Sequence, residues 1–297
     1  MSSNIEHDFR QVHTADVDTW FLPDTSIEVI ERFTPDEPPK HVLFDFDGTL
    51  SLVREGWPEI MVPMMVEYLQ QTGTDESAEQ LEQVCSKFVM DLTGKQTIYQ
   101  MIRLAEEIQQ RGGTPLEPSV YKADYQNRLM QRIVWRREAL RSGRVPPSDM
   151  LVPGSIELLN LLADRSVALY LASGTDETYV REEVELLQLE SYFGRHVYGA
   201  QDDYRSFSKA QVIQSILADN HVEGKSLLGF GDGYVEIQNV RDIGGTAVAV
   251  ASDESERSGQ PDPWKRERLI GAGAHVVIPD YSAAARLIAW LWHEGQD

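Results

Sequence analysis

A chain of 297 residues, 41% hydrophobic and with a formal charge of −21, can bury one large or two ordinary cores without disulfide staples. Its 48 acidic and 27 basic residues repel nucleic acid and anionic membrane surfaces, so neither is an expected partner. Cys85 is the single cysteine, which excludes an internal disulfide and argues against a cysteine-based zinc site.

Residues 1–10 hold no apolar block and no run of about 18 apolar residues occurs anywhere, so the expectation is an unexported protein of the reducing cytoplasm. Residues 1–40 mix Trp20, Phe21, Leu22, Ile27, Val29, Ile30 and Phe33 with breaks at Pro35, Pro38 and Pro39, and read as an extension packing on the core, then a linker. Val42, Leu43 and Phe44 predict a strand buried on both faces. Helices are predicted at 57–71, 75–92, 96–111 and 118–141 from apolar residues at helical spacing, such as Ile98, Met101, Ile102 and Ala105. Gly73, Gly94, Gly112 and Gly113 punctuate them.

From residue 154 the pattern alternates. Helices are predicted at 154–164, 176–188, 208–219, 234–242 and 281–292, with strands at 167–172, 196–199, 226–230, 246–250 and 275–278. Alternation of this kind predicts an α/β fold with a doubly wound parallel sheet and right-handed crossovers. The expected division is 1–40 as extension, 41–55 with 146–297 as the α/β core, and 56–145 as an inserted helical domain. Residues 251–274, containing Trp264, Lys265, Arg266 and Arg268, read as a long charged connection.

Four segments carry candidate chemistry. Asp45 and Asp47 stand at the end of the first strand, before Gly48 and Thr49, where open α/β sheets bind ligands. Paired carboxylates there invite a divalent cation and a nucleophilic role, although such a pair also occurs in solvated turns. The strand Leu169–Ala172 ends in Ser173-Gly174-Thr175, whose hydroxyl and amides can hold a phosphate oxygen or form an ordinary turn. Ser208 reads as an N-cap and Lys209 as the first helical residue, an unfavourable place for a cation that either serves the site or lies in solvent. Gly231-Asp232-Gly233-Tyr234-Val235-Glu236 sets two acids one helical turn apart, which suits a magnesium ion, with Asp232 also a possible helix cap.

The order of these motifs resembles the haloacid dehalogenase-like (HAD) hydrolase superfamily, over 42–51 and 153–290. The helical insert is similar in position to the small α-helical cap of its phosphatase and phosphomutase branches. The resemblance implies a Mg2+-dependent phosphatase of a small phosphorylated metabolite working through an aspartyl phosphate. Asp45 is then the nucleophile and Asp47 the acid and base. The metal lies between Asp45, the backbone carbonyl of Asp47 and Asp232, with Glu236 one step outside. Ser173, Gly174 and Lys209 hold the phosphoryl group. Thr49, Arg54 and, in the cap, Lys95 complete the candidate substrate contacts. A sugar phosphomutase and a non-catalytic binding module on the same fold are the alternatives. No oligomeric state is assigned.

Overall fold

The strand that leads into Asp45 lies inside a sheet, flanked on both sides by strands that come more than a hundred residues later. In the computed structural model, which describes residues 9–294 apart from 15, 32, 36 and 202, the chain divides into two compact units. One is Gly56–Arg136; the other joins Phe9–Glu55 to the chain from Arg137 onward.

The chain begins with strands β1 (Thr19–Phe21), β2 (Glu28–Ile30) and β3 (His41–Phe44), then enters helices α1 (Pro58–Gln70), α2 (Ala78–Asp91), α3 (Thr97–Gln110) and α4 (Pro118–Arg141). Next come α5 (Ser155–Asp164), β4 (Ala168–Asp176), α6 (Glu177–Leu186), α7 (Glu190–Phe193) and β5 (Val197–Ala200). The chain continues through α8 (Lys209–Asn220), β6 (Leu227–Gly231), α9 (Tyr234–Asp242) and β7 (Thr246–Val250). It finishes with α10 (Pro263–Ala272), β8 (Val276–Ile278) and α11 (Ala284–Leu291). None of the described helices is long and apolar enough to cross a membrane.

The sheet runs β1-β2-β8-β7-β6-β3-β4-β5, parallel from β8 to β5 and antiparallel at β1 and β2. His41 stands opposite both Ala168 of β4 and Leu227 of β6. Strand order reverses at β3, and the crevice beyond its carboxyl end is the ligand position of an open α/β sheet. Below it Phe44 stacks on Phe230 at 4.9 Å and meets the edge of Phe193 at 6.0 Å.

The helical unit has its own core. Met64, Met65 and Leu69 of α1, Leu81, Cys85 and Val89 of α2, and Met101 and Leu104 of α3 are all buried. Burial, then the charge of Glu107, pushes the Cys85 thiol up to about 12, so this cysteine is an inert packing residue. Ser77 and Gln80 close a capping box at the start of α2.

Several elements depart from the sequence-based expectation, the unpredicted four-residue helix α7 among them. Residues 19–30, read as part of an extension, form a hairpin whose second strand extends the sheet beside β8. Strands of three residues are too short to show a period of two, and both Trp20 and Phe21 are exposed. The connection at 251–274 contains α10, whose run of charged residues hid it; Pro263 at its first position and the Asp262 side chain accepting the Lys265 amide at 2.8 Å were the available signals. β4 stays extended through Asp176, with a register shift after Ala172, where a turn was expected. Gly233, not Asp232, is the N-cap of α9, and Glu236 accepts its amide at 3.1 Å.

Candidate active site

The turn after β3 is built by backbone bonds that leave the two aspartates at its mouth. The Asp45 amide donates to the carbonyl of Phe230 at 2.9 Å, prolonging the ladder with β6, and the amides of Leu50 and Ser51 converge on the Phe46 carbonyl at 2.9 and 2.8 Å. Gly48 adopts φ of 71°, and a Cβ there would lie 2.2 Å from Asp232 Oδ2. Both the conformation and the close approach require glycine. Thr49, expected among the substrate contacts, is fully buried; its Oγ1 accepts the Asp232 amide at 3.0 Å and its carbonyl accepts the Tyr281 hydroxyl at 3.0 Å. It ties the β3 and β6 loops together.

Asp45 is 6% exposed, and Lys209 reaches it from the start of α8 with Nζ at 2.8 Å from Oδ1. The same ammonium lies 2.8 Å from Glu236 Oε2. Ser208 caps α8 by accepting the Gln211 amide at 3.1 Å, so the cap fixes where the lysine enters. Oxygens of Asp45, Asp232 and Glu236 lie within 4.8 Å of one another. Burial pushes the Asp45 carboxyl well above its ordinary value; Lys209 pulls it down while Glu236 and Asp232 add to the rise. Burial disfavours the charge on Lys209, but Asp45 and Glu236 outweigh it and hold the ammonium above the usual lysine range.

Asp47 faces a different set of groups. Its Oδ2 accepts bonds from Thr175 Oγ1 at 2.9 Å and Ser173 Oγ at 3.3 Å, and Ser173 Oγ in turn accepts the Thr175 amide at 3.0 Å. Arg54 Nε stands 3.6 Å from Asp47 Oδ1. Burial raises the Asp47 carboxyl; Arg54 opposes this, and Glu183 adds to it. Arg54, expected at the substrate, is buried and gives Nε and Nη2 to Glu183 at 3.0 and 2.9 Å, with Tyr179 below its guanidinium. Gly174 lies in β4 beside Ser173, and Lys95 lies in the helical unit with its Nζ over the Tyr99 ring.

Three groups from the β7–α10 region were not foreseen. Lys265, in the first turn of α10, stands 2.9 Å from Asp232 Oδ2, 2.6 Å from Glu254 Oε1 and 3.1 Å from Ser252 Oγ. Ser252 Oγ donates to the Gly48 carbonyl at 2.6 Å. Thr175 was also missed, although it directly follows Ser173-Gly174.

The acidic cluster passes a chemical test for a divalent cation. Its carboxylates are buried and converge, and Lys209 with Lys265 sets two positive charges against the four carboxylates Asp45, Asp232, Glu236 and Glu254. All-oxygen donors at this spacing suit a hard ion such as Mg2+.

A doubly wound sheet with carboxylates and a buried lysine gathered at its switch point defines an α/β protein with a charged cluster at the ligand position of such sheets. The haloacid dehalogenase-like hydrolase model matches residues 39–244, and the chain belongs to that family. Similar folds include a haloacid dehalogenase-like protein from Agrobacterium tumefaciens, with 19% identity, 84% of this chain and 98% of that one covered, and a TM-score of 0.54. Another is a HAD family hydrolase from Deinococcus radiodurans bearing phosphate and sodium, with 20% identity, coverage of 88% and 98%, and a TM-score of 0.51. A third is described as a predicted phosphatase from Clostridium acetobutylicum, with 15% identity, coverage of 85% and 99%, and a TM-score of 0.54. No curated protein matches the chain in sequence.

Proposed function

We propose that the protein is a Mg2+-dependent phosphatase of a small phosphorylated metabolite, acting through an aspartyl phosphate on Asp45. The observation that carries the reading is the contrast between the two aspartates. Asp45 faces Lys209 and the acids Asp232 and Glu236, while Asp47 faces hydroxyls and Arg54. Two neighbouring carboxyls in different surroundings can hold different protonation states at once, as a nucleophile and a general acid require.

In this reading Asp45 Oδ attacks phosphorus, and Asp47 gives its proton to the departing ester oxygen. Asp47, now ionised, takes a proton from the water that attacks the acyl phosphate, and inorganic phosphate leaves with Asp45 restored. Asp45, the Asp47 carbonyl and Asp232 would hold Mg2+, with Glu236 acting through Lys209. Bound there, the ion supplies positive charge between an anionic nucleophile and an anionic substrate. Ser173, the Gly174 amide and Lys209 receive the phosphoryl oxygens. The helical unit is the cap that selects the leaving group, with Lys95 its candidate contact. The bound phosphate of the Deinococcus radiodurans protein, on the same fold, supports a phosphoryl substrate. The single cysteine supports a reducing cytoplasm.

Phosphate release from a panel of phosphomonoesters in Mg2+ tests the reading. Wild type is expected to hydrolyse at least one member, and Asp45→Asn to lose the activity by about 10⁴-fold or more, at or above the top of the roughly 10²–10⁴-fold range of a single acid–base group. Equal rates for the two proteins would sink it.

A further inference from the structure

Each lysine of the site bridges two carboxylates. Lys209 joins Asp45 to Glu236, and Lys265 joins Asp232 to Glu254. Four negative groups against two positive ones leave a deficit of two charges, which one divalent cation meets. Asp47 stands outside this balance, because its neighbours are Arg54 and the hydroxyls of Ser173 and Thr175.

Lys265 is not placed by local stability. A cation in the first helical turn faces the positive end of the helix, and burying an ammonium is costly unless carboxylates surround it. Here they do, at 2.9 and 2.6 Å. The Ser252 hydroxyl adds a third oxygen at 3.1 Å and is itself anchored on the Gly48 carbonyl, so the ammonium sits in a fixed oxygen cage beside the nucleophile's turn. Such a cage differs from an ion's first shell by only about an ångström, since Mg2+ binds oxygen at about 2.0–2.1 Å.

We propose that Lys265 is a built-in counter-ion that limits the centre to a single divalent cation, holding the place between Asp232 and Glu254 that a second ion would otherwise take. The inference rests on the Mg2+ reading above. Two-metal hydrolytic centres place their ions about 3.5–4 Å apart with a shared carboxylate between them, and Asp232 occupies the corresponding position here. A covalently tethered cation keeps that side of Asp232 neutral without depending on metal supply, and leaves the other side to the catalytic ion.

The test is Mn2+ stoichiometry on the full chain, by calorimetry and by electron paramagnetic resonance. Wild type is expected to bind one ion per chain. Lys265→Met is expected to bind two, with the line broadening of a coupled pair, and Lys265→Met/Glu254→Gln to return to one. One ion in both wild type and Lys265→Met overturns the counter-ion role and leaves the Mg2+ reading standing; two ions in wild type also overturn it. No ion in wild type overturns the Mg2+ reading itself, and the counter-ion role with it. Thermal unfolding guards against a folding defect: Mn2+ is expected to raise the midpoint of Lys265→Met more than that of wild type. A variant that stays unfolded in Mn2+ shows that no ion replaces the ammonium, and this too overturns the proposal.

Discussion

Gly48 couples the turn after β3 to the carboxylate that follows β6, because the space a Cβ would need is held by Asp232 Oδ2. Gly48→Ala is expected to cost about 1–3 kcal/mol from the left-handed backbone alone. Displacement of Asp232 should come on top, read as a lower urea midpoint together with weaker Mg2+ binding. At Asp47 burial raises the carboxyl's pKa most and Arg54 opposes it, and the Thr175 hydroxyl bond also favours the ionised form. Thr175→Val removes that bond, so the Asp47 pKa rises further. If Asp47 must be protonated to release the leaving group, the alkaline limb of the kcat profile moves to higher pH in the variant. An unmoved limb would remove Asp47 from the acid role. Asp45, Asp47, Lys209 and Asp232 were legible because each sits where an apolar run meets a glycine or a cap, a signal local to a few residues. Lys265, Glu254 and Ser252 were not, since nothing within a charged segment announces that tertiary folding will carry one lysine back to Asp232.

Among the elements, the junction of β8 with β2 depends on an uncharged histidine. His275 gives its carbonyl to the Ile30 amide at 2.9 Å, accepts the Ala247 amide on Nδ1 at 3.0 Å and stacks on Phe33 at 4.3 Å. Burial, then the positive charge of Arg241 and the nearness of His13, lowers its pKa to about 4. The unfolded chain takes up this proton near the ordinary histidine value and the folded chain only near 4, so the native state is favoured above about 6.5 and loses up to about 3 kcal/mol as pH falls to 4. Urea unfolding should show that loss in wild type and less of it in His275→Asn, which keeps an acceptor for the Ala247 amide. The alternation of strand and helix from 154 onward made most elements readable within a residue or two. The hairpin at 19–30 and α10 escaped because three-residue strands carry no period and because charge masked an ordinary Asp-Pro helix start.

For the molecule as a whole, the charge of −21 opposes the approach of an anionic substrate. Raising ionic strength from about 10 to about 150 mM shortens the screening length from about 30 to about 8 Å. At saturating Mg2+, kcat/KM for a phosphomonoester is therefore expected to rise over that range, against the fall seen when an enzyme attracts its substrate. A falling value would mean that the local cations of the site dominate the approach.

The edge of the sheet has a bearing on how the chain is made. Val29 of β2 pairs with Val276 of β8, so a segment that leaves the ribosome early cannot take its final place until nearly all the described chain has been synthesised. Closing so long a loop is a late and slow event compared with helix formation in the 56–136 unit. Lys265 emerges just ahead of β8, which means that a nascent chain already carrying Asp45, Lys209 and Asp232 still lacks the arm that would neutralise Asp232. A stalled or truncated product ending before residue 263 would thus present the acids of the centre without their full complement of cations.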